Sequence, residues 1–108
     1  MAIDTHYHTG PVFAVTQSGE WFYKEYPDKV NKAGSYLYQP AHSVHTLIVA
    51  ADAKEDAMVW FSIYGSNVNI DDDNNVTSIV DAKTVLGAYR MLCAAEGKSC
   101  DKLIVFGE

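Results

Sequence analysis

Gly34-Ser35-Tyr36-Leu37-Tyr38-Gln39-Pro40-Ala41-His42-Ser43-Val44-His45 is the stretch that decides how this sequence folds. Residues Ser35 to Gln39 are rich in aromatics and read as a strand opened by Gly34. Pro40 ends it, because proline cannot donate to a sheet ladder. After two histidines the chain becomes β-prone again, from His45 through Thr46-Leu47-Ile48-Val49 to Ala51. The other two of the four histidines lie upstream, in His6-Tyr7-His8. Along a strand, alternate side chains share a face, so His6 and His8 project side by side, with Cα atoms roughly 7 Å apart.

Outward from these clusters, the first two thirds of the chain read as strands and turns. Val12 to Thr16 is apolar and ends at the turn signal Gln17-Ser18-Gly19-Glu20. Trp21 to Tyr26 is dense in aromatics and stops at Pro27-Asp28. The charged stretch Asp52 to Asp56 turns the chain, and Met58 to Tyr64 reads as a buried strand ended by Gly65. Short strands at this spacing predict a sandwich or barrel. Beyond the polar loop Asp71 to Asn75, Val80 to Ala95 has helical composition. Val85, Leu86, Tyr89, Leu92 and Cys93 give that helix one apolar face. Asp81 suits its start and Gly97 its stop. Lys102 to Phe106 reads as a last short strand. The 108 residues allow one domain, with strands over about 1–70, a helix over about 81–96 and a short tail.

Composition narrows the function. Net charge is −6 and no basic stripe occurs, which argues against a nucleic-acid partner and against an anionic membrane surface. No apolar run approaches the roughly 20 residues needed to cross a bilayer. The start Met1-Ala2-Ile3-Asp4-Thr5-His6 lacks a secretory pattern, so the expected location is the cytoplasm. Cys93 and Cys100 do not show zinc-ribbon spacing, and a reducing compartment makes them free thiols. Asp71, Asp73 and Asn75 lack the glycine and glutamate that a calcium loop needs, since Val76 and Ala82 stand there.

Three histidines at strand ends form a natural divalent-metal set: His6, His8 and His45. Glu25 is the expected fourth ligand. If Trp21 to Tyr26 is one strand, Glu25 shares a face with Trp21 and Tyr23, and a carboxylate among aromatics is costly to bury unless bound or paired. His42 is a secondary candidate, as a further ligand, beside the metal or in a substrate pocket. The bland alternative is a solvated histidine pair near the terminus and a core histidine at 45.

The spacing Gly34, Pro40, His42, His45 resembles the second motif of the cupin superfamily, and His6-Tyr7-His8, with Gly19 beyond a strand, resembles the first. Two departures stand out: His42 occupies a usual glycine position, and Val12 and Phe13 occupy positions where a glutamate is usual. Within the cupins the chain looks like the 2,4'-dihydroxyacetophenone dioxygenase type. The segments are His6 to Val12, Gly34-Ser35-Tyr36, Pro40 to Leu47, and Gly65 followed by Asn67, Asn69 and Asp71. The resemblance implies an all-β, cupin-like (double-stranded β-helix or jelly-roll) barrel with a C-terminal α-helix. It also implies iron(II) on His6, His8, Glu25 and His45, and oxidative carbon–carbon cleavage of an aromatic or oxygenated compound. Zinc, nickel or manganese would also suit such donors. Trp21, Tyr23, Tyr36, Trp60 and Phe61 are the expected aromatic lining of a substrate pocket. Only five residues precede His6, whereas the resembled proteins carry more. The expectation is a barrel open on one side, with an unpaired edge that favours a homodimer or larger oligomer, by exchanged N-terminal strands. A binding protein that kept the metal and lost turnover remains the alternative.

Overall fold

The computed structural model describes residues 2–52 and 54–107, so Met1, Ala53 (inside the charged turn) and Glu108 lie outside the described residues. Eight strands precede one helix: β1 (His6–His8), β2 (Val12–Ser18), β3 (Trp21–Tyr23), β4 (Tyr36–Gln39), β5 (Leu47–Val49), β6 (Met58–Ile63), β7 (Asn67–Ile70), β8 (Val76–Val80) and α1 (Ala82–Ala95). All named pairings are antiparallel. One layer has the order β4-β2-β6. In the other, β1-β7-β8 and β3-β5 are joined where His6 bridges His45 and Ala2 bridges Ile48. The core lies between the layers, built from Ala14, Trp21, Tyr23 and Leu47 with Leu37, Val49, Val59 and Phe61 against them.

Strand alternation explains this core. Along β2, Val12, Ala14 and Thr16 point inward and are almost fully buried, while Phe13 and Val15 point outward. Trp21 is wholly buried, and its indole N–H donates to Thr16 Oγ1 at 2.8 Å, so no polar atom of that ring is left without a partner. Gly19 turns the chain from β2 to β3 with φ +75°, and a Cβ there would stand 2.5 Å from Ala57 Cα. That position therefore needs glycine on both counts.

The architecture is the expected all-β barrel with a C-terminal helix, but several elements differ in detail. The strand expected over Trp21 to Tyr26 ends at Tyr23, because Tyr26 N turns back to donate to Tyr23 O at 2.8 Å. Met58 to Tyr64 is not a buried strand: Met58 and Trp60 face outward and are mostly exposed. Val76 to Val80 is a strand at the open edge of its sheet, with Val76 through Ile79 exposed and Val80 half-buried. The sequence pattern assigns Val76 to Ile79 to no element and gives Val80 to the helix. Lys102 to Phe106 forms no strand; Leu103 N closes a turn onto Cys100 O at 3.0 Å.

The helix starts at Ala82, capped by Asp81, whose carboxylate accepts from Thr84 N at 2.9 Å. Gly97, at φ +67°, ends it. Its apolar side does not sink into the core. It roofs an open groove of about 520 Å³ lined by Phe61, Ile63, Asn67, Val85, Leu86 and Tyr89. Cys93 and Cys100 are free thiols. No described helix is long and apolar enough to cross a membrane.

Candidate metal centre

Two backbone hydrogen bonds build the site. His6 N donates to His45 O at 3.0 Å, and His45 N donates to His6 O at 2.9 Å. Residues directly opposite on an antiparallel ladder point to the same face. The bridge thus sets His45 beside His6, and strand alternation adds His8. All three imidazoles are buried, His45 to within 1% of full burial. Ring centroids are 4.3 Å apart for His6 and His45, 5.0 Å for His6 and His8, and 5.4 Å for His8 and His45. One nitrogen from each lies within 4.8 Å of the others, so this triad could hold a metal ion.

The chemistry of the donors fits a cation. Burial first, and then the neighbouring imidazoles of His6 and His45, lower the His8 pKa to about 4. Burial and then His6 lower that of His45 to about 4, against the opposing pull of the Ser43 carbonyl and the Glu25 charge. Both rings are therefore neutral at pH 7 and offer lone pairs. His6 Nδ1 lies 2.6 Å from the Asp4 carbonyl and His45 Nδ1 lies 2.9 Å from that of Ser43. A proton on each Nδ1 satisfies those carbonyls and leaves the far nitrogen free for a metal. His8 Nδ1 is buried with no partner at all. An unpartnered buried nitrogen costs roughly 1–3 kcal/mol, and a metal ion would relieve it.

The remaining expected residues divide. Tyr23 stands against His45, ring centroids 4.3 Å apart, and its burial raises the phenol pKa well above the usual range, so it stays protonated. Trp21 lies under Tyr23 in the core, 5.3 Å away, rather than in a pocket. Glu25 sits in the turn after β3, exposed, with its carboxylate accepting from Thr46 N at 2.8 Å. It lies outside the histidine cluster, although its charge reaches His45. His42 is exposed at φ +68°, the conformation that glycine adopts easily, and meets the site only through its backbone N–H, which donates to His8 O at 2.8 Å. Tyr36 and Trp60 point outward from their strands, and Tyr36 lines the groove that also contains Tyr23 and Gln39.

Gln39 is the residue that the sequence reading missed. It points inward from β4 with Leu37, and its side-chain amide lies 2.5 Å from His45 Nδ1 at one end and 3.4 Å from the Tyr23 hydroxyl at the other. With the Nδ1 proton given to Ser43, the amide must face the ring with its oxygen, an exchange of two near-isosteric ends. Its signal was parity: a polar residue on the inward face of an aromatic strand. Two grooves flank the centre. The one under α1 reaches it through Asn67, which pairs with His8 across the ladder. The other, about 450 Å³, reaches it through Tyr23 and Gln39.

Solved structures share this arrangement of strands. A protein of unknown function with a cupin-like fold from Ralstonia eutropha JMP134 matches with a TM-score of 0.86 and 27% identity, over 100% of this chain and 69% of its own. An RmlC-like cupin from the same organism matches at 0.83 and 33% identity, over 92% of this chain and 62% of its own. The chain has a cupin-like fold. An acetylacetone dioxygenase from Acinetobacter johnsonii shares the cupin fold at a TM-score of 0.72 and 17% identity, over 83% of this chain and 60% of its own. The chain thus spans about two thirds of the first of these cupins and less than two thirds of the other two. No family model matches the sequence, and no curated protein matches it.

Two measurements check this centre. In the unfolded chain His8 and His45 titrate near 6.5, and in the folded, metal-free protein near 4. The unfolded state therefore takes up protons in that window that the folded state refuses. Stability is full above pH 6.5, falls as pH drops towards 4 and levels below it. Denaturant unfolding across this range should show the fall, and a His8→Gln variant should show less of it. Separately, Gln39→Leu should weaken divalent-metal affinity by about 10- to 100-fold, read by competition with a chelating dye, with the circular dichroism spectrum unchanged.

Proposed function

We propose that this chain is a metal-dependent dioxygenase-like oxidoreductase acting on a small, uncharged aromatic or oxygenated compound, with iron(II) as its metal. The observation that carries the reading is the buried, neutral His6–His8–His45 triad with an unpartnered nitrogen, standing beside an apolar groove. A triad of imidazoles leaves coordination positions open, and iron(II) bound there would supply dioxygen activation and a Lewis acid for substrate oxygens. The acetylacetone dioxygenase among the structural neighbours gives this fold a precedent for such chemistry.

The chain's own residues have separable tasks. His6, His8 and His45 hold the metal, and the Asp4 and Ser43 carbonyls fix the tautomers of His6 and His45. Gln39 and Tyr23 brace the His45 ring. Glu25 completes the ligand set only by releasing Thr46 N; while held there it acts on His45 through its charge. Phe61, Ile63, Val85 and Leu86 give the groove under α1 an apolar lining, and Asn67 adds an amide to it. The one ionisable carboxylate lining it, Asp81, is engaged in capping the helix. The groove therefore favours an uncharged, flat substrate over an anion.

Oxygen-electrode assays on iron-reconstituted protein test this reading, with acetylacetone and a hydroxylated acetophenone as probes. The expected result is one dioxygen consumed per substrate lost, with both oxygen atoms in the cleavage products, and no uptake in His45→Ala. Ligand binding without oxygen uptake would make the chain a metal-dependent binding protein instead.

A further inference from the structure

The outer face of the β4-β2-β6 sheet carries a feature that the metal centre does not use. Alternation turns Tyr36 and Tyr38 of β4, Phe13 and Val15 of β2, and Met58 and Trp60 of β6 away from the core. The register sets Tyr36, Val15 and Trp60 in one row, and Tyr38, Phe13 and Ser62 in the next. Phe13 is the hub, its ring 5.3 Å from Tyr38, 6.4 Å from Tyr36 and 6.1 Å from Tyr64 just beyond β6. Tyr36 is 67% exposed and Trp60 60%. None of these residues is charged, on a chain of net charge −6, and Lys29 shares the groove at the Tyr36 and Tyr38 edge.

We propose that this face is a two-fold interface between two copies of the chain. Area is the first argument. With about 200 Å² per full aromatic side chain, the exposed parts of Tyr36, Tyr38, Trp60 and Tyr64 present roughly 500 Å². Met58, Val15 and Phe13 bring the face to roughly 600–700 Å², above the usual largest patch of a monomer and close to the roughly 800 Å² per partner of a stable complex. Charge is the second. A basic partner finds nothing to pair with here, an anionic bilayer is repelled by the whole chain, and a second uncharged aromatic face is matched without any ion pair. Symmetry is the third. A two-fold axis parallel to β2 lays Tyr36 of one protomer over Trp60 of its partner and Tyr38 over Ser62, and aligned sheet-on-sheet packing is a common solution for twisted sheets. Tyr36 and Tyr38 also line the groove beside Gln39, but none of these side chains is among the histidine donors, so metal binding and dimerisation are read separately.

Sedimentation velocity of the full chain, with Trp60→Lys and Tyr36→Glu variants, tests it. The wild type should sediment at twice the 11.9 kDa of the chain. Each variant alone should be monomeric with an unchanged circular dichroism spectrum, and mixing the two should restore a dimer. Acrylamide quenching of the wild type gives a reading that needs no variant. Trp21 is wholly buried, so the quenchable emission belongs to Trp60. That emission should be shielded in concentrated protein and become accessible on dilution. A wild type that stays monomeric overturns the proposal, as does one that instead floats with phosphatidylcholine vesicles. A dimer that survives both substitutions with Trp60 still quenchable also overturns it, and moves the contact elsewhere, for example to the open edge of β8.

Discussion

The reciprocal backbone pair between His6 and His45 is the constraint on which the rest of this structure depends. It joins two short sheets into one curved layer, and it brings together two histidines that lie 39 positions apart in sequence. Neither hydrogen bond is strong by itself, at roughly 0.5–1.5 kcal/mol net. Their effect is geometric. Direct opposition on the ladder leaves His45 one face to occupy, and that face already carries His6 and His8. A slip of one residue would turn both strand histidines outward and scatter the donors.

Burial then sets the chemistry. Three imidazoles in contact, away from water, cannot all be cations, and the lowered pKa values of His8 and His45 express that. The folded chain therefore holds an arrangement that costs stability in acid and leaves one nitrogen unsatisfied at neutral pH. Such local disagreement with good packing marks functional sites, where neighbouring structure holds a conformation that the site alone would not choose. Here the neighbours are visible: the Asp4 and Ser43 carbonyls, Gln39, and Tyr23 against the His45 ring.

Much of this was legible in the sequence because it is local. The i, i+2 histidines, the glycine–proline–histidine spacing, the Asp81 cap and the Gly97 stop all act within a few residues. What was not legible depends on strand parity and register. Trp60 looked like a pocket aromatic, but Phe61 takes the inward position of its strand and turns that ring outward, whereas Tyr36, outward on its own strand, lines the groove beside Tyr23 and Gln39. Glu25 seemed to share a face with Tyr23, but the chain turns at Tyr23 and hands the carboxylate to Thr46 N. The β-branched run Val76 to Ile79 carries no local signal that assigns it, because its pairing with β7 is set by distant residues.

Anaerobic titration calorimetry of tag-free, metal-stripped protein with iron(II), alongside the His45→Ala variant, addresses the central claim most directly. The account predicts one saturable site per chain in the wild type, and its loss in the variant with the fold retained. A wild type with no saturable site, or a variant that binds as well as the wild type, would contradict it.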